Sequence, residues 1–356
     1  AITGGHQRRV CVGSACNHPS VGRRRVWVAV VAVVATVAVV VGVLLFTPLL
    51  DGSLQAQANP TSSYEGATAR ADDLLGADGD DINPVCRSRV YDQGESSDVA
   101  VVLLHGFTNC PQQWDAVAQA YVDAGYSVVV PRLPGHGEQD RLTSALSSVT
   151  PQQLVDTADL AVDVAAGLGD EVRVVGLSGG GTLAGWLGAN RDEVTRVTLI
   201  AALVAPKVLP EVLVGPVSRA FRHTPDVSLW WDGDKKEALD TPPYAYPRYT
   251  LRSLGAFLAV GRATQRADPQ RVTDLGALVV VTNENDAAVS NAGVAAMADS
   301  LEVLLADPTD RVDYVFSADQ GFKHDVVDPE GENADRLDEI YPVLGPLLGL
   351  PDLTAP

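Results

Sequence analysis

The sequence predicts an α/β fold with a mostly parallel central sheet and helices on both faces, and two features carry that expectation. Six apolar runs, Val99–Leu104, Tyr126–Val130, Glu171–Gly176, Val194–Ala201, Ala277–Asn283 and Arg311–Phe316, are mostly continuous, as strands buried on both faces must be. Between them lie helical stretches with apolar residues at three- and four-residue spacing, Gln112–Ala124 and Pro151–Leu168 among them. Thr150-Pro151 reads as a cap followed by proline at the first helical position, which marks where the second helix begins. Strand alternating with helix puts ligand chemistry at the carboxyl ends of the strands.

Upstream of that domain the sequence changes character. Val26 to Phe46 is an uncharged apolar run of 21 residues, preceded by Arg23-Arg24-Arg25 and followed by Asp51-Gly52-Ser53. A bilayer-spanning helix needs about 20 such residues. Residues 1–25 therefore read as a basic cytoplasmic tail and 26–50 as a single-pass transmembrane anchor, with the arginines placing the following domain outside the cell membrane. The alternative is a signal sequence, with Ala56-Gln57-Ala58 as its cleavage site and a secreted product. Residues 51–83, rich in Ala, Gly, Ser and Asp, read as a flexible, solvated linker, and 84–350 as the globular domain.

Charge divides at the same place. Residues 1–50 hold five arginines and no acid, which leaves 21 basic against 45 acidic residues in the remainder, a net of −24. Such a domain is a poor partner for nucleic acid or anionic lipid headgroups. One stretch breaks the strand–helix alternation: from about 203 to 271 the chain runs through eight prolines and carries Trp230, Trp231, Tyr244, Tyr246 and Tyr249. Excursions of that length within a compact domain are usually lids or binding loops. Its aromatic residues either grip an apolar group or form the insertion's own small core.

Ser178 is the nucleophile candidate. It lies in Gly176-Leu177-Ser178-Gly179-Gly180, directly after a strand and directly before Gly181-Thr182-Leu183-Ala184, so it stands at a strand-to-helix corner where small neighbours allow close backbone approach. A serine hydroxyl needs a histidine to take its proton and an acid to fix that histidine's tautomer. Of six histidines, His6 and His18 lie in the N-terminal tail and His223 in a polar stretch, while His105 and His136 read as structural loop residues. His324 remains, in a loop between the strand ending at Phe316 and a helix-like stretch, Asn333–Leu347. Two acids follow the strand Ala277–Asn283 and could serve it, Glu284 and Asp286.

Together these residues resemble the α/β-hydrolase superfamily, and more narrowly its bacterial carboxylesterase and monoacylglycerol-lipase-like branch, over roughly 85–347. Four landmarks carry the resemblance in order: His105-Gly106-Phe107, then Leu133-Pro134-Gly135-His136-Gly137, then the Ser178 corner, then Asp286 and His324. The resemblance favours Asp286 over Glu284 through the spacing Asp-x-x-Val. It implies an oxyanion hole from the backbone N–H groups of Gly179 and Phe107, and a cap inserted at about 203–271, where Trp230, Trp231 and Tyr244 become substrate-binding candidates. It implies hydrolysis of carboxylic esters, small-molecule or lipid, through Ser178, His324 and Asp286. A lipase, thioesterase or aminopeptidase would use the same residues, and an inactive hydrolase-fold binding module would keep the fold alone.

No cofactor is implied, since the glycines after Ser178 lack the lysine of a nucleotide-binding loop. Cys86 and Cys110 lie in the exported part, where oxidation is permitted, and a disulfide between them would pin the loop of Phe107 to the start of the domain. The alternative is two buried thiols. Cys11 and Cys16, with His6 and His18 nearby, match no zinc-binding spacing, and no metal is expected.

Overall fold

A computed structural model describes residues 21–47, 53–223, 225–233, 242–266 and 275–356. The tail residues Cys11, Cys16, His6 and His18 lie outside them. Helix α1 spans Val21–Phe46, and its window Val26–Val43 has a mean hydropathy of 2.9 with none of it buried in the protein. The elements that follow are α2 (Tyr64–Leu75), β1 (Arg89–Tyr91), β2 (Ser97–Leu104), α3 (Asp115–Asp123), β3 (Ser127–Val130), α4 (Pro151–Leu168), β4 (Gly169–Leu177), α5 (Gly179–Asn190) and β5 (Val194–Ile200). Then come α6 (Glu211–His223), β6 (Ser228–Trp230), β7 (Arg248–Thr250), α7 (Leu251–Thr264), β8 (Ala277–Asn283), α8 (Asn291–Glu302), β9 (Arg311–Phe316) and α9 (Leu337–Leu348).

Seven strands form one sheet in the order β1-β3-β2-β4-β5-β8-β9, parallel throughout except for β1, which pairs antiparallel with β3 at the edge. All six strands expected from the apolar runs are present. β1 escaped the sequence because it has three residues, one of them an arginine. Side chains alternate across the sheet as the strand period requires. Ala100, Val102 and Leu104 of β2 pack with Val174, Leu199 and Val280 against α2, α4, α5 and α8. Val101 and Leu103 pack with Val175, Ile200 and Val281 against α3 and α9. Because both faces are covered, the strands read as unbroken apolar runs.

Helix α4 begins where its cap signal lies: Thr150 accepts from the Gln153 N–H, and the Gln153 side chain returns to the Thr150 backbone. The described part of the expected linker, residues 53–83, is by contrast not simply a solvated tether. Helix α2 starts at a Ser63 cap and buries Ala67, Ala71 and Leu74 against α4. Ahead of it the backbone N–H groups of Gln57 and Asn59 donate to the carboxylates of Asp159 (2.7 Å) and Asp163 (3.0 Å) on α4. Those two acids are buried around Arg191, which reaches Asp163 at 2.6 Å and Glu193 at 3.0 Å. The sequence signal was weak because two of the three residues that dock α2 are alanines.

The described part of the stretch 203–271 holds α6, the β6–β7 hairpin and α7. Helix α7 is part of the main core, with Phe257, Leu258 and Val260 fully buried.

Candidate active site

Ser178 occupies the turn between β4 and α5 with φ 54° and ψ −114°, a conformation that costs a non-glycine residue about 1–3 kcal/mol. The surroundings over-determine it. Its N–H donates to the Ile200 carbonyl at 2.8 Å, and its carbonyl accepts from Leu203 N at 2.9 Å and Thr182 N at 3.1 Å. A Cβ on Gly176 would lie 2.1 Å from the Gly180 carbonyl oxygen, and one on Gly180 would lie 1.8 Å from that of Leu104, so both positions require glycine. Among the described residues, the non-glycine residues with positive φ are Thr108, Ser178 and Ala201, which follow β2, β4 and β5 at the carboxyl edge of the sheet.

Asp286 follows β8 and is fully buried. One carboxylate oxygen accepts from the N–H groups of Ala288 (2.8 Å) and Val289 (2.9 Å). The other accepts from His324 Nδ1 at 2.7 Å. Burial pushes the Asp286 carboxyl up, but the His324 hydrogen bond and charge, together with those two N–H donors, outweigh it and hold the pKa below the ordinary carboxylate value. Burial pulls the His324 imidazole down. The Asp286 bond and charge, helped by Asp325 and Glu332, outweigh that and hold it above the ordinary histidine value. Glu284, the rival acid, is exposed and accepts instead from Ala318 N at 2.7 Å. Ser178 and His324 are not joined by a hydrogen bond; the imidazole commits Nδ1 to Asp286 and leaves Nε2 available.

Phe107 and Gly179 come together. A Cβ on Gly179 would lie 3.0 Å from the Phe107 backbone nitrogen, so the loop of Phe107 lies against the residue that follows Ser178. Among the described residues neither of these two N–H groups donates a hydrogen bond. The loop that carries Phe107 is braced on both sides: Gly106 N–H donates to Gln113 Oε1 at 2.6 Å, and Cys110 forms a disulfide with Cys86, the first of the two alternatives for these cysteines.

His105 and His136 are structural, as the sequence reading has them. His105 Nε2 accepts from Leu133 N at 3.1 Å while its Nδ1 faces the Gly106 carbonyl at 2.9 Å, which uses both nitrogens of a neutral ring. Burial drives its pKa well below the ordinary value, and that of His136 down to about 4.

The three aromatic candidates divide. Trp231 stands beside the loop of Phe107: its Nε1 donates to Thr108 Oγ1 at 2.9 Å and its ring lies 6.0 Å from that of Phe107. Trp230 is half-buried in the hairpin opposite Arg248 and has no ring contact with that cluster. Tyr244 is corrected from a substrate contact to a structural one. Its ring is buried with Ile82 and the disulfide, and its hydroxyl is spent on Asp328 at 2.5 Å. The residues that complete the wall around Phe107 are instead Phe257 (5.0 Å) and Tyr249 (5.7 Å). Phe257 carried no signal of this role, because α7 reads as an ordinary apolar helix, and Tyr249 was one of several aromatics in a proline-rich stretch.

Comparison with known proteins defines the class to which this sheet order belongs. Residues 101–351 match the Alpha/beta hydrolase family, and the chain belongs to it. A curated relative, the thermostable monoacylglycerol lipase of Bacillus sp. (strain H-257), is 33% identical over 116 residues, 31% of this chain and 43% of its own length, so the match spans less than half of that relative. Among solved structures, a metagenome-derived lipolytic enzyme described with LipS and LipT superposes with a TM-score of 0.54 at 19% identity, covering 75% of this chain and 98% of that one. The monoacylglycerol lipase of Paleococcus ferrophilus does so with a TM-score of 0.52 at 17% identity, covering 74% and 98%. At those identities the two structures speak to the fold.

Proposed function

We propose that the protein is a serine hydrolase that cleaves carboxylic esters through an acyl-enzyme on Ser178, held outside the cell membrane by α1. The observation that carries this reading is the Asp286–His324 hydrogen bond at 2.7 Å, together with a serine in a strained strand-to-helix turn of the same sheet. Asp286 holds the Nδ1–H tautomer, so His324 Nε2 takes the proton of Ser178 as Oγ adds to the ester carbonyl. The negative charge that develops on the carbonyl oxygen is met by the N–H groups of Gly179 and Phe107, donors that need no reorganisation. Protonated His324 returns the proton to the departing alcohol, and the C–O bond breaks. Water then repeats the sequence against the acyl-enzyme, with His324 again the base.

The apolar rings of Phe107, Trp231, Tyr249 and Phe257 suit an acyl chain, and the match to a monoacylglycerol lipase supports a lipid-like ester. The length of the apolar α1 and the exposure of its window Val26–Val43 support the anchor. A fluorophosphonate probe tests the chemistry. Labelling of the folded wild-type protein that is abolished in Ser178→Ala is expected; folded protein that takes no label would favour a hydrolase-fold binding module.

A further inference from the structure

The loop that carries His324 does more than present an imidazole. Asp325 and Asp328, one and four residues further on, each take hold of the 106–113 loop. Asp325 Oδ2 accepts from Gln113 Nε2 at 2.7 Å, and Gln113 Oε1 in turn accepts the Gly106 N–H at 2.6 Å. Asp328 Oδ2 accepts from Asn109 Nδ2 at 3.1 Å, and Asn109 Oδ1 in turn accepts the Cys110 N–H at 2.8 Å. Phe107 lies between those two anchor points. The other oxygen of Asp328 accepts the hydroxyl of Tyr244, from the inserted segment, at 2.5 Å. Asp325 Oδ1 closes the device by accepting the N–H groups of Val327 and Asp328, both at 3.1 Å.

Every side chain on the Asp328 arm is buried: Asp328 is 1% exposed, Tyr244 3% and Asn109 7%. Burial, and next the charge of Asp325, raise the Asp328 carboxyl above its ordinary value, while Tyr244 and Asn109 work against the rise. A buried acid near a second acid is a poor choice for simple loop stability. A neutral side chain of the same shape would satisfy Tyr244 without the desolvation cost. What a carboxylate adds is acceptance on both oxygens from two different segments at once.

We infer that Asp328 is a positioning residue for the oxyanion hole, holding Asn109 and Tyr244 together so that the Phe107 N–H keeps its place relative to His324 and Ser178. This rests on the hydrolase reading above. The hole works only if its donors sit where the oxyanion will form, and a misplacement of about 1 Å can cost about 100-fold in rate. Asp328 therefore acts on kcat through the transition state rather than on substrate affinity.

A swap tests it. Asp328→Asn faces the Asn109 amide with a second amide nitrogen, and Asn109→Asp faces one carboxylate with another. The double variant restores a donor–acceptor pair in the reverse sense and leaves acceptors for Cys110 N–H and the Tyr244 hydroxyl. The readouts are kcat and KM on an aryl ester, the thermal midpoint, and inhibition by phenylboronic acid, whose boron takes the Ser178 oxygen to give a tetrahedral adduct. Each single variant is expected to lose roughly 10- to 100-fold in kcat and in boronate affinity with KM changed by no more than about threefold, and the double to recover most of both. Folded single variants that keep wild-type turnover and boronate affinity would overturn the inference. So would a double that regains the thermal midpoint but not kcat, which is the signature of a merely structural contact. Should the singles fail to fold, Tyr244→Phe removes only the arm from the inserted segment: a fall in kcat and boronate affinity supports the inference, and no change in either overturns it. A wild-type protein that fluorophosphonate does not label sinks the hydrolase reading itself, whereas a labelled, active wild type with unresponsive variants sinks this inference alone.

Discussion

Gly179→Ala is the sharpest probe of the proposed oxyanion hole, because it adds one methyl group and deletes no donor. The added Cβ would stand 2.9 Å from Phe257 Cε1, 3.0 Å from the Phe107 nitrogen and 3.1 Å from the Phe107 Cβ. Ordinary contacts there are about 3.5–4.0 Å, so something must recede by about half an ångström. Phe257 is fully buried on α7 and cannot swing out, and the Ser178 corner is held by three backbone hydrogen bonds. The element left to move is the loop at Phe107, which carries one of the two donors. Complete loss of one such donor costs about 2.7–4 kcal/mol, or roughly 100- to 1,000-fold in kcat. A half-ångström retreat should therefore cost about 10- to 100-fold. Initial rates on aryl esters of graded acyl length check it, with KM nearly constant and the thermal midpoint within a few degrees of wild type. A folded Gly179→Ala variant with wild-type kcat would refute the placement of the hole between these two N–H groups.

Other expectations follow from the same geometry. Asp286→Asn keeps the shape but loses the tautomer lock, and kcat should fall by up to about 10,000-fold. Glu284→Gln, on an exposed side chain outside the site, should leave turnover near normal; the reverse outcome would exchange the two acids. The pH profile carries a sign. Catalysis needs neutral His324, whose pKa is held above its ordinary value mainly by Asp286 against burial, so the acid limb of kcat/KM should lie above about pH 6.5. The same shifts bear on stability. The raised His324 contributes below its unfolded pKa and loses that contribution as pH rises through the folded value. The depressed Asp286 contributes above its unfolded pKa and loses it as pH falls through the folded one. Cys110→Ser opens a loop with a sequence separation of 24, which should cost about 3 kcal/mol; a thermal midpoint unchanged from wild type would count against that account.

How much of this was legible beforehand depended on which interactions leave a pattern in the chain. The parallel strands did, because burial on both faces requires unbroken apolar runs, and so Ser178, Asp286 and His324 could be assigned to strand ends before any coordinates. The choice between Glu284 and Asp286 needed more than spacing. In the structure Asp286 is buried against His324, while Glu284, two residues earlier, faces solvent and binds Ala318 N. The ring wall was half legible: Trp231 is beside Phe107, but Tyr244 is turned away to Asp328, a partner 84 residues distant that no local pattern announces. Helix α2 was hidden for a different reason. Its docking depends on small side chains and on backbone N–H groups finding carboxylates about a hundred residues away, and neither raises local hydrophobicity.

Those carboxylates make the strongest case that the segment before α2 belongs to the folded domain. Arg191 is wholly buried, and Asp159 and Asp163 are 1% exposed. Its guanidinium is held by Asp163 at 2.6 Å, by Glu193 at 3.0 Å and more weakly by Asp159 at 3.4 Å, and it also donates to the Asp159 backbone carbonyl at 2.9 Å. The acids in turn receive the N–H groups of Gln57 and Asn59, so this cation underlies the middle of the strap's attachment to α4, between the Gln55–Gln152 and Thr61–Asp163 backbone contacts. Removing it leaves Asp159 with only a backbone donor and Asp163 with a backbone donor and the Arg70 guanidinium 3.5 Å away, and breaking a buried pair in this way typically costs about 3–5 kcal/mol. Arg191→Leu should lower stability by that amount and raise hydrogen exchange at Gln57, Asn59 and Thr61 before the sheet amides respond, since the strap is the part that loses its anchor first. Exchange at those three amides as slow as in wild type would show that α2 alone holds the strap, and that the buried arginine serves only α4 and α5.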